Sequence, residues 1–259
     1  MNAELEREEE LVKEALNIFR VAQDKAITLR LLGGIAFRVR CPSSSNEKLK
    51  RSYQDIDFFG LTKDRGRIRK LFSSLGYIEP RTLINILQEH RMIVENPQNN
   101  TKVDIFLDVF QMSHKLKFKE RTALDEPTLP LADLLLTKLQ AFEFTQREYK
   151  DVLALLKDYD LRRTEEKNGI NAAYIAKLCG NDWGLSKTVL VNLGRMMRSV
   201  SSYLPAIEDQ NIVFGKISQL KDILEREPKS VKWKMRAIIG QRLRWYEIPE
   251  EIKRIPGPF

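Results

Sequence analysis

Two carboxylates alternate with apolar side chains in the run Asp55-Ile56-Asp57-Phe58-Phe59. Side chains at i and i+2 of a strand leave the same face, so this β-prone run puts Asp55 beside Asp57. Clustered carboxylate oxygens suit hard divalent cations, and Mg²⁺ is usually held by one or two carboxylates together with substrate phosphates. Upstream, Gly33-Gly34 closes the apolar run 27–32 and opens a helical segment. Glycines let backbone N–H groups approach an anion closely, with a helix N-terminus behind them. A phosphate cradle beside metal-binding carboxylates is a nucleotide site in outline. The competing reading is an edge strand with a charged outer face. Ile56, Phe58 and Phe59 weigh against it, because a strand covered on one face destabilises idle carboxylates unless they are paired or metal-bound.

A further acid lies in Val103-Asp104-Ile105-Phe106-Leu107-Asp108. Strand periodicity places Asp104, Phe106 and Asp108 on one face. Two carboxylates on one strand and a third from its neighbour can assemble a two-metal centre, where one ion activates an attacking hydroxyl and the other orients phosphates. Asp104 and Asp108 are roughly 13 Å apart along a strand, so only one of them can join the pair, and spacing alone leaves the choice open.

These residues need elements to hold them. The 259 residues suffice for two modest domains, and 42% hydrophobic with 31% charged residues is ordinary globular composition. An amphipathic helix is expected over 3–24, strands over 27–32, 55–61, 89–96 and 102–110, and an edge strand at 115–119. Short helices fall at 35–39 and 68–75, the latter with Gly76 at its C-cap. From 131 onward the pattern becomes helix after helix: 133–144, 148–159, 171–178, 185–203, 212–227 and 231–246. The expected architecture is therefore α+β, a mixed sheet with flanking helices followed by an all-helical C-terminal region. The boundary falls near 128, giving units 1–128 and 129–259.

Several classes are excluded. No apolar run approaches the ~20 residues that span a bilayer, so no membrane partner is expected. The Glu-rich start is unlike a signal peptide, and a cytoplasmic location is expected. Cys41, Cys179, His90 and His114 are too few for a disulfide framework, a zinc cluster or multi-His chemistry. Net charge is +8, and residues 211–259 carry eleven Lys/Arg against six Asp/Glu. That excess hints at a polyanionic partner. The stretch from Val231 to Tyr246 interleaves Trp233, Trp245 and Tyr246 with cations. It suits RNA through phosphate neutralisation and base stacking, or simply packs its aromatics inward.

Leu31-Leu32-Gly33-Gly34, Asp55-Ile56-Asp57 and Val103-Asp104-Ile105 together resemble the three-part signature of the polymerase-beta-like nucleotidyltransferase superfamily. The segments 131–140 and 147–152 are similar to the helical Lys…(Arg/Lys)-Asp motif of the nucleotidyltransferase toxins of type IV abortive-infection (AbiEii-like) systems. The resemblance spans roughly residues 25 to 160. It implies that Asp55, Asp57 and Asp104 bind two Mg²⁺ ions and carry catalysis, with Asp108 left outside the cluster. It also implies that Gly33, Gly34, Lys138 and Asp151 bind the NTP; the competing readings are a helix-surface charge with a buried stem for Lys138 and, for Asp151, either the partner that orients Lys138 or an N-terminal helix charge favoured by the dipole. The implied reaction moves a nucleoside monophosphate from an NTP to an acceptor hydroxyl, here RNA or a tRNA end, with a toxin-like role and an antitoxin partner. The alternatives are transfer to a small molecule or protein hydroxyl, and a catalytically idle nucleotide- or nucleic-acid-binding module. Two departures stand out: residues 41–51 lengthen the gap before the carboxylates, and Gly34 replaces the family's frequent serine. The long insertion is a candidate for acceptor contacts, and Arg38 for a γ-phosphate contact or a plain surface charge.

Overall fold

The computed structural model describes residues 2–80 and 90–248, with side chains from residue 6. Glu89, where a strand is expected to begin, and the counted Glu250, Glu251, Lys253 and Arg254 lie outside the described residues. The fold is α+β, built on a four-stranded mixed sheet in the order β1-β2-β4-β3. After α1 (Asn2–Asp24), the chain forms β1 (Leu29–Leu32), α2 (Gly33–Arg40), β2 (Asp55–Gly60) and α3 (Arg65–Ser74). β3 (Arg91–Asn96) and β4 (Thr101–Leu107) form a hairpin that returns β4 between β3 and β2. β2 and β4 run parallel, while β1 pairs with β2 and β3 with β4 antiparallel.

Alternation decides what each face of this sheet does. Leu31, Ile56, Phe58, Val103, Ile105 and Val94 point one way and are at most 2% exposed. Phe58 meets Phe72 of α3 edge-on at 6.5 Å, and Phe72 meets Tyr77 at 5.3 Å. The opposite face begins with Asp55, Asp57 and Asp104 and continues into Phe59 and Phe106. Phe118 and Phe110 cover those rings at 5.8 and 4.8 Å. Because the side-chain period is two, a one-residue slip of β2 would send both aspartates into the apolar face, so burial fixes the register.

The expected strand 102–110 is broken in two. Asp108 adopts a left-handed φ of +61°, and its carboxylate accepts a hydrogen bond from the Thr62 N–H at 3.2 Å. Beyond it, β5 (Val109–Gln111) pairs with β6 (Lys115–Lys117) as a separate hairpin. Asp108 thus serves a turn, pointed away from the other acids by the backbone itself. Residues 127–129 return to the free edge of β1, where Leu31 N–H donates to Pro127 O and Leu129 N–H to Leu31 O. The boundary expected near 128 is stitched to the sheet there, and buried side chains on both sides of it form one continuous core.

The C-terminal region is helical: α4 (Leu131–Leu139), α5 (Gln146–Asp158), α6 (Ala172–Asn181), α7 (Trp183–Tyr203), α8 (Ile207–Arg226) and α9 (Val231–Ile239). One short parallel ladder interrupts it, β7 (Asp160–Arg162) with β8 (Gly169–Asn171). Caps explain most of the boundaries. Thr145 and Glu148 form a capping box on α5, and Asn171, Asp182 and Ser230 cap α6, α7 and α9. α4 stops five residues before the expected 144 because the Asn192 amide donates to Leu139 O and Ala141 O, taking up its terminal carbonyls. α9 ends seven residues early at Gly240, whose φ is +58°. There Arg236 donates to the carbonyls of Gly240 and Leu243.

Phe58→Ala is expected to lower stability by about 3–5 kcal/mol, measured by urea denaturation. A loss below 1 kcal/mol would mean that the Phe58–Phe72 contact does not set the sheet's apolar face.

Candidate functional site

The diglycine at the start of α2 is shaped by two side chains. Gly33 has φ +63°, and a Cβ there would collide with the Asp57 carboxylate. At Gly34 a Cβ would collide with the Arg51 guanidinium and come within 2.8 Å of Tyr53 Cδ1. The first glycine therefore makes room for an acid and the second for a base. Asp57 is seated by the β1–β2 register, directly opposite Leu32, the residue that precedes α2.

The same register carries the other acids. Asp57 and Asp104 are paired positions on parallel strands, and Asp55 lies two residues earlier on the same face. Asp55 is exposed, Asp57 half-buried and Asp104 only 4% exposed. Burial pushes the Asp57 carboxyl well above its ordinary range, the charges of Asp55 and Asp104 push the same way, and Lys138 and Arg91 oppose them. Asp104 is held by a residue the sequence reading does not single out. Arg91 Nε donates to its two oxygens at 2.9 and 3.0 Å and Nη2 also contacts it, with the guanidinium 5.0 Å over the Phe106 ring. Among the described residues, no group of three or more His, Cys, Asp or Glu side chains stands close enough to hold a metal ion as the side chains lie. The donor chemistry of Asp55 and Asp57 nevertheless fits Mg²⁺ shared with phosphates. These are hard oxygen ligands on one face, with like charge crowded around a buried carboxylate.

Lys138 on α4 and Asp151 on α5 meet as a pair, Nζ 2.9 Å from Oδ2, with Glu148 Oε1 4.0 Å from the ammonium and the Phe37 ring centre at 5.5 Å. Asp151 is 2% exposed and also receives Arg51 side-on, Nε and Nη2 each at 2.8 Å from one of its oxygens. Burial works most strongly against the Arg51 charge, but the hydrogen bonds and charge of Asp151, with Tyr53 and Glu148, together outweigh it and raise the guanidinium pKa. Arg51 is the second site residue that sequence reasoning misses. Its signal is weak: a lone arginine four positions before Asp55. It arrives by way of the insertion 41–51, which lies along α5 instead of reaching outward. Ser43 N–H and Oγ donate to Asp158 at 2.9 and 2.5 Å, and Lys150 Nζ donates to Lys50 O at 2.7 Å. Arg38 turns away from the cradle to bind Glu8 at 2.5 Å.

A cavity of ≈ 240 Å³ opens beside Gly33 and Lys138. Phe110, Met112 and Phe142 give it an apolar wall, and Glu143, Glu148 and Glu247 put carboxylates on its lining. The far side is the segment that follows α9. Tyr246 stacks on Phe142 at 3.4 Å and 9°, and Trp245 Nε1 donates to Thr188 Oγ1 at 3.1 Å. Glu247 is fastened at both ends: its N–H donates to Ser113 O, and its carboxylate accepts from Gln111 at 2.7 Å. Trp245 and Tyr246, expected to ride on a long terminal helix, instead lie beyond α9, where Tyr246 walls this cavity.

Fold and site together define an α+β protein with a carboxylate-bearing parallel strand pair packed against a glycine-opened helix. No family model matches the sequence, and no curated protein matches it. Among solved structures, it is similar to the lincomycin-bound crystal structure of the lincosamide antibiotic adenylyltransferase LnuA. That likeness covers 55% of this chain and 94% of the other, at 15% identity and a TM-score of 0.41, a level that settles neither fold nor activity.

Gly33→Ala is expected to lower stability by about 1–3 kcal/mol from backbone strain alone, with displacement of Asp57 adding to it. Equilibrium denaturation checks this, and an unchanged midpoint would contradict the close approach. Asp57 also sets a pH dependence. Its folded pKa is raised, so the folded state keeps a proton that the unfolded chain releases above the ordinary carboxylate value of 3.8. Stability is therefore full below that value and lost as pH rises through the folded pKa. Asp57→Asn removes this loss. Its melting temperature should exceed that of the unsubstituted chain at neutral pH and converge on it near about pH 4.

Proposed function

We propose that this chain is a Mg²⁺-dependent nucleotidyltransferase of the polymerase-beta-like kind, moving a nucleoside monophosphate from an NTP to an acceptor hydroxyl with release of pyrophosphate. The observation that carries the reading is the placement of Asp57 against Gly33, in register with Asp104 and within electrostatic reach of Lys138. The backbone N–H groups at the start of α2 face the phosphates, and Lys138, oriented by Asp151, neutralises them. Asp55 and Asp57 would hold Mg²⁺, with Asp104 joining them where two ions bind. When bound, Mg²⁺ supplies charge neutralisation and Lewis-acid polarisation of the phosphates. Asp104, positioned by Arg91 and directly opposite Asp57 in the β2–β4 register, takes the proton of the acceptor hydroxyl as its oxygen attacks the α-phosphorus. The α–β bridging oxygen leaves with pyrophosphate.

RNA as the acceptor, a tRNA end included, is supported by the net charge of +8 and by the cations of the C-terminal fifth. With it goes the reading of a cytoplasmic, toxin-like enzyme with an antitoxin partner, like the abortive-infection proteins the motifs resemble. A second reading has its own support. The cavity beside Gly33 sets Lys138 against three glutamates and an aromatic wall, a lining that suits a compact acceptor better than a polyphosphate chain.

Incubation with each α-labelled NTP and Mg²⁺, with total RNA in one arm and a small-metabolite extract in the other, tests both readings. Label transfer is expected in one arm and should fall at least about 100-fold in Asp57→Ala, the scale on which lost electrostatic stabilisation acts. Transfer undiminished in that variant, or no transfer to any acceptor, would overturn the proposal. Independently of turnover, Mg²⁺ should raise the melting temperature of the unsubstituted chain and leave Asp57→Asn unmoved. A shift of equal size in both would remove Asp57 from the metal site.

A further inference from the structure

α9 presents an apolar stripe to solvent. At 100° per residue, Val231, Met235 and Ile238 fall within about 60° of one another on the helix surface. They are 73%, 65% and 83% exposed, and Leu243 just beyond the helix is 60% exposed. The less exposed side carries Trp233, Arg236 and Ala237, with the Arg236 guanidinium 4.8 Å over the Trp183 ring and donating to the carbonyls that end the helix. Exposed apolar residues on an ordinary surface helix are scattered, whereas these are aligned. Lys232 and Lys234 lie on the two flanks of the stripe. From 228 to 246 the sequence has six cations (Lys229, Lys232, Lys234, Arg236, Arg242, Arg244) and no acid.

We propose that this stripe is a surface for an anionic phospholipid membrane, with Val231, Met235, Ile238 and Leu243 entering the headgroup region and the flanking lysines meeting lipid phosphates. The charge is complementary to such a surface, and lysines beside an apolar stripe can lay their stems along it while their ammonium groups stay in water. Shape selects lipid over a protein partner. Its three helical residues are each at least 65% exposed, so the stripe stands out as a ridge, and a bilayer interface accepts a ridge without having to supply a groove. RNA has no use for the stripe, since phosphates call for the cations alone. Among the described residues no helix is long and apolar enough to cross a membrane, so the contact lies on the surface and leaves the bilayer unspanned. The inference does not depend on the nucleotidyltransferase reading.

Flotation of the full chain with phosphatidylcholine vesicles, and with vesicles that also contain phosphatidylglycerol, tests it. The protein is expected to float with the anionic vesicles only, less as salt rises. Partitioning should drop about tenfold or more in Met235→Ser/Ile238→Ser, where two inserted side chains are lost. Those side chains are exposed, so the variant's circular dichroism and melting should match the parent, keeping loss of binding separate from loss of fold. Absence of flotation with anionic vesicles would overturn the proposal. So would equal flotation of the variant, or a stripe that captures an acidic amphipathic peptide or RNA while vesicles are ignored.

Discussion

A half-buried carboxylate pressed against a helix start is the constraint on which the rest of the structure turns. Asp57 has burial and two like charges against it, and it needs a glycine to pass beneath it. Everything nearby can be understood as compensation. Arg91 takes up the charge of Asp104, Arg51 and Lys138 share Asp151, and Lys138 lends its field to Asp57. The cations are bound to acids of their own, so the like charge around Asp57 is opposed at a distance and never cancelled. A site arranged in this way favours whatever brings positive charge to Asp57.

The sheet supplies the geometry for this at little conformational cost. Parallel pairing of β2 with β4 sets Asp57 opposite Asp104 through ladder hydrogen bonds, without relying on side-chain rotamers. The apolar face behind them locks the register, since any slip would expose Phe58 and bury the acids. The position of the acids thus follows from core packing on the other side of the same strands.

Period-two alternation made β2 and the start of β4 legible, because one face of each is continuous core. The glycine pair announced the β1–α2 junction, and helical spacing brought Lys138 and Asp151 onto adjacent helices. Arg51 and Arg91 stayed hidden because their partners are 100 and 13 residues away and depend on how separate elements dock. The break at Asp108 was hidden too, since an aspartate at positive φ looks like any other in an alternating run. The early end of α9 turns on Gly240, which a continuing amphipathic pattern can outweigh on paper but whose left-handed backbone stops the helix in space.

The strap from Tyr246 to Ile248 closes one side of the cavity whose other side begins at Leu32 and Gly33. One wall of the cavity is thus encoded far downstream of the strands that bear the acids, while Phe110 and Met112 follow β4 directly. Under the proposed nucleotidyltransferase reading, substitutions at Tyr246 to Ile248 would reshape what enters while leaving β2 and β4 untouched. A lineage could then change its acceptor without first losing its acids.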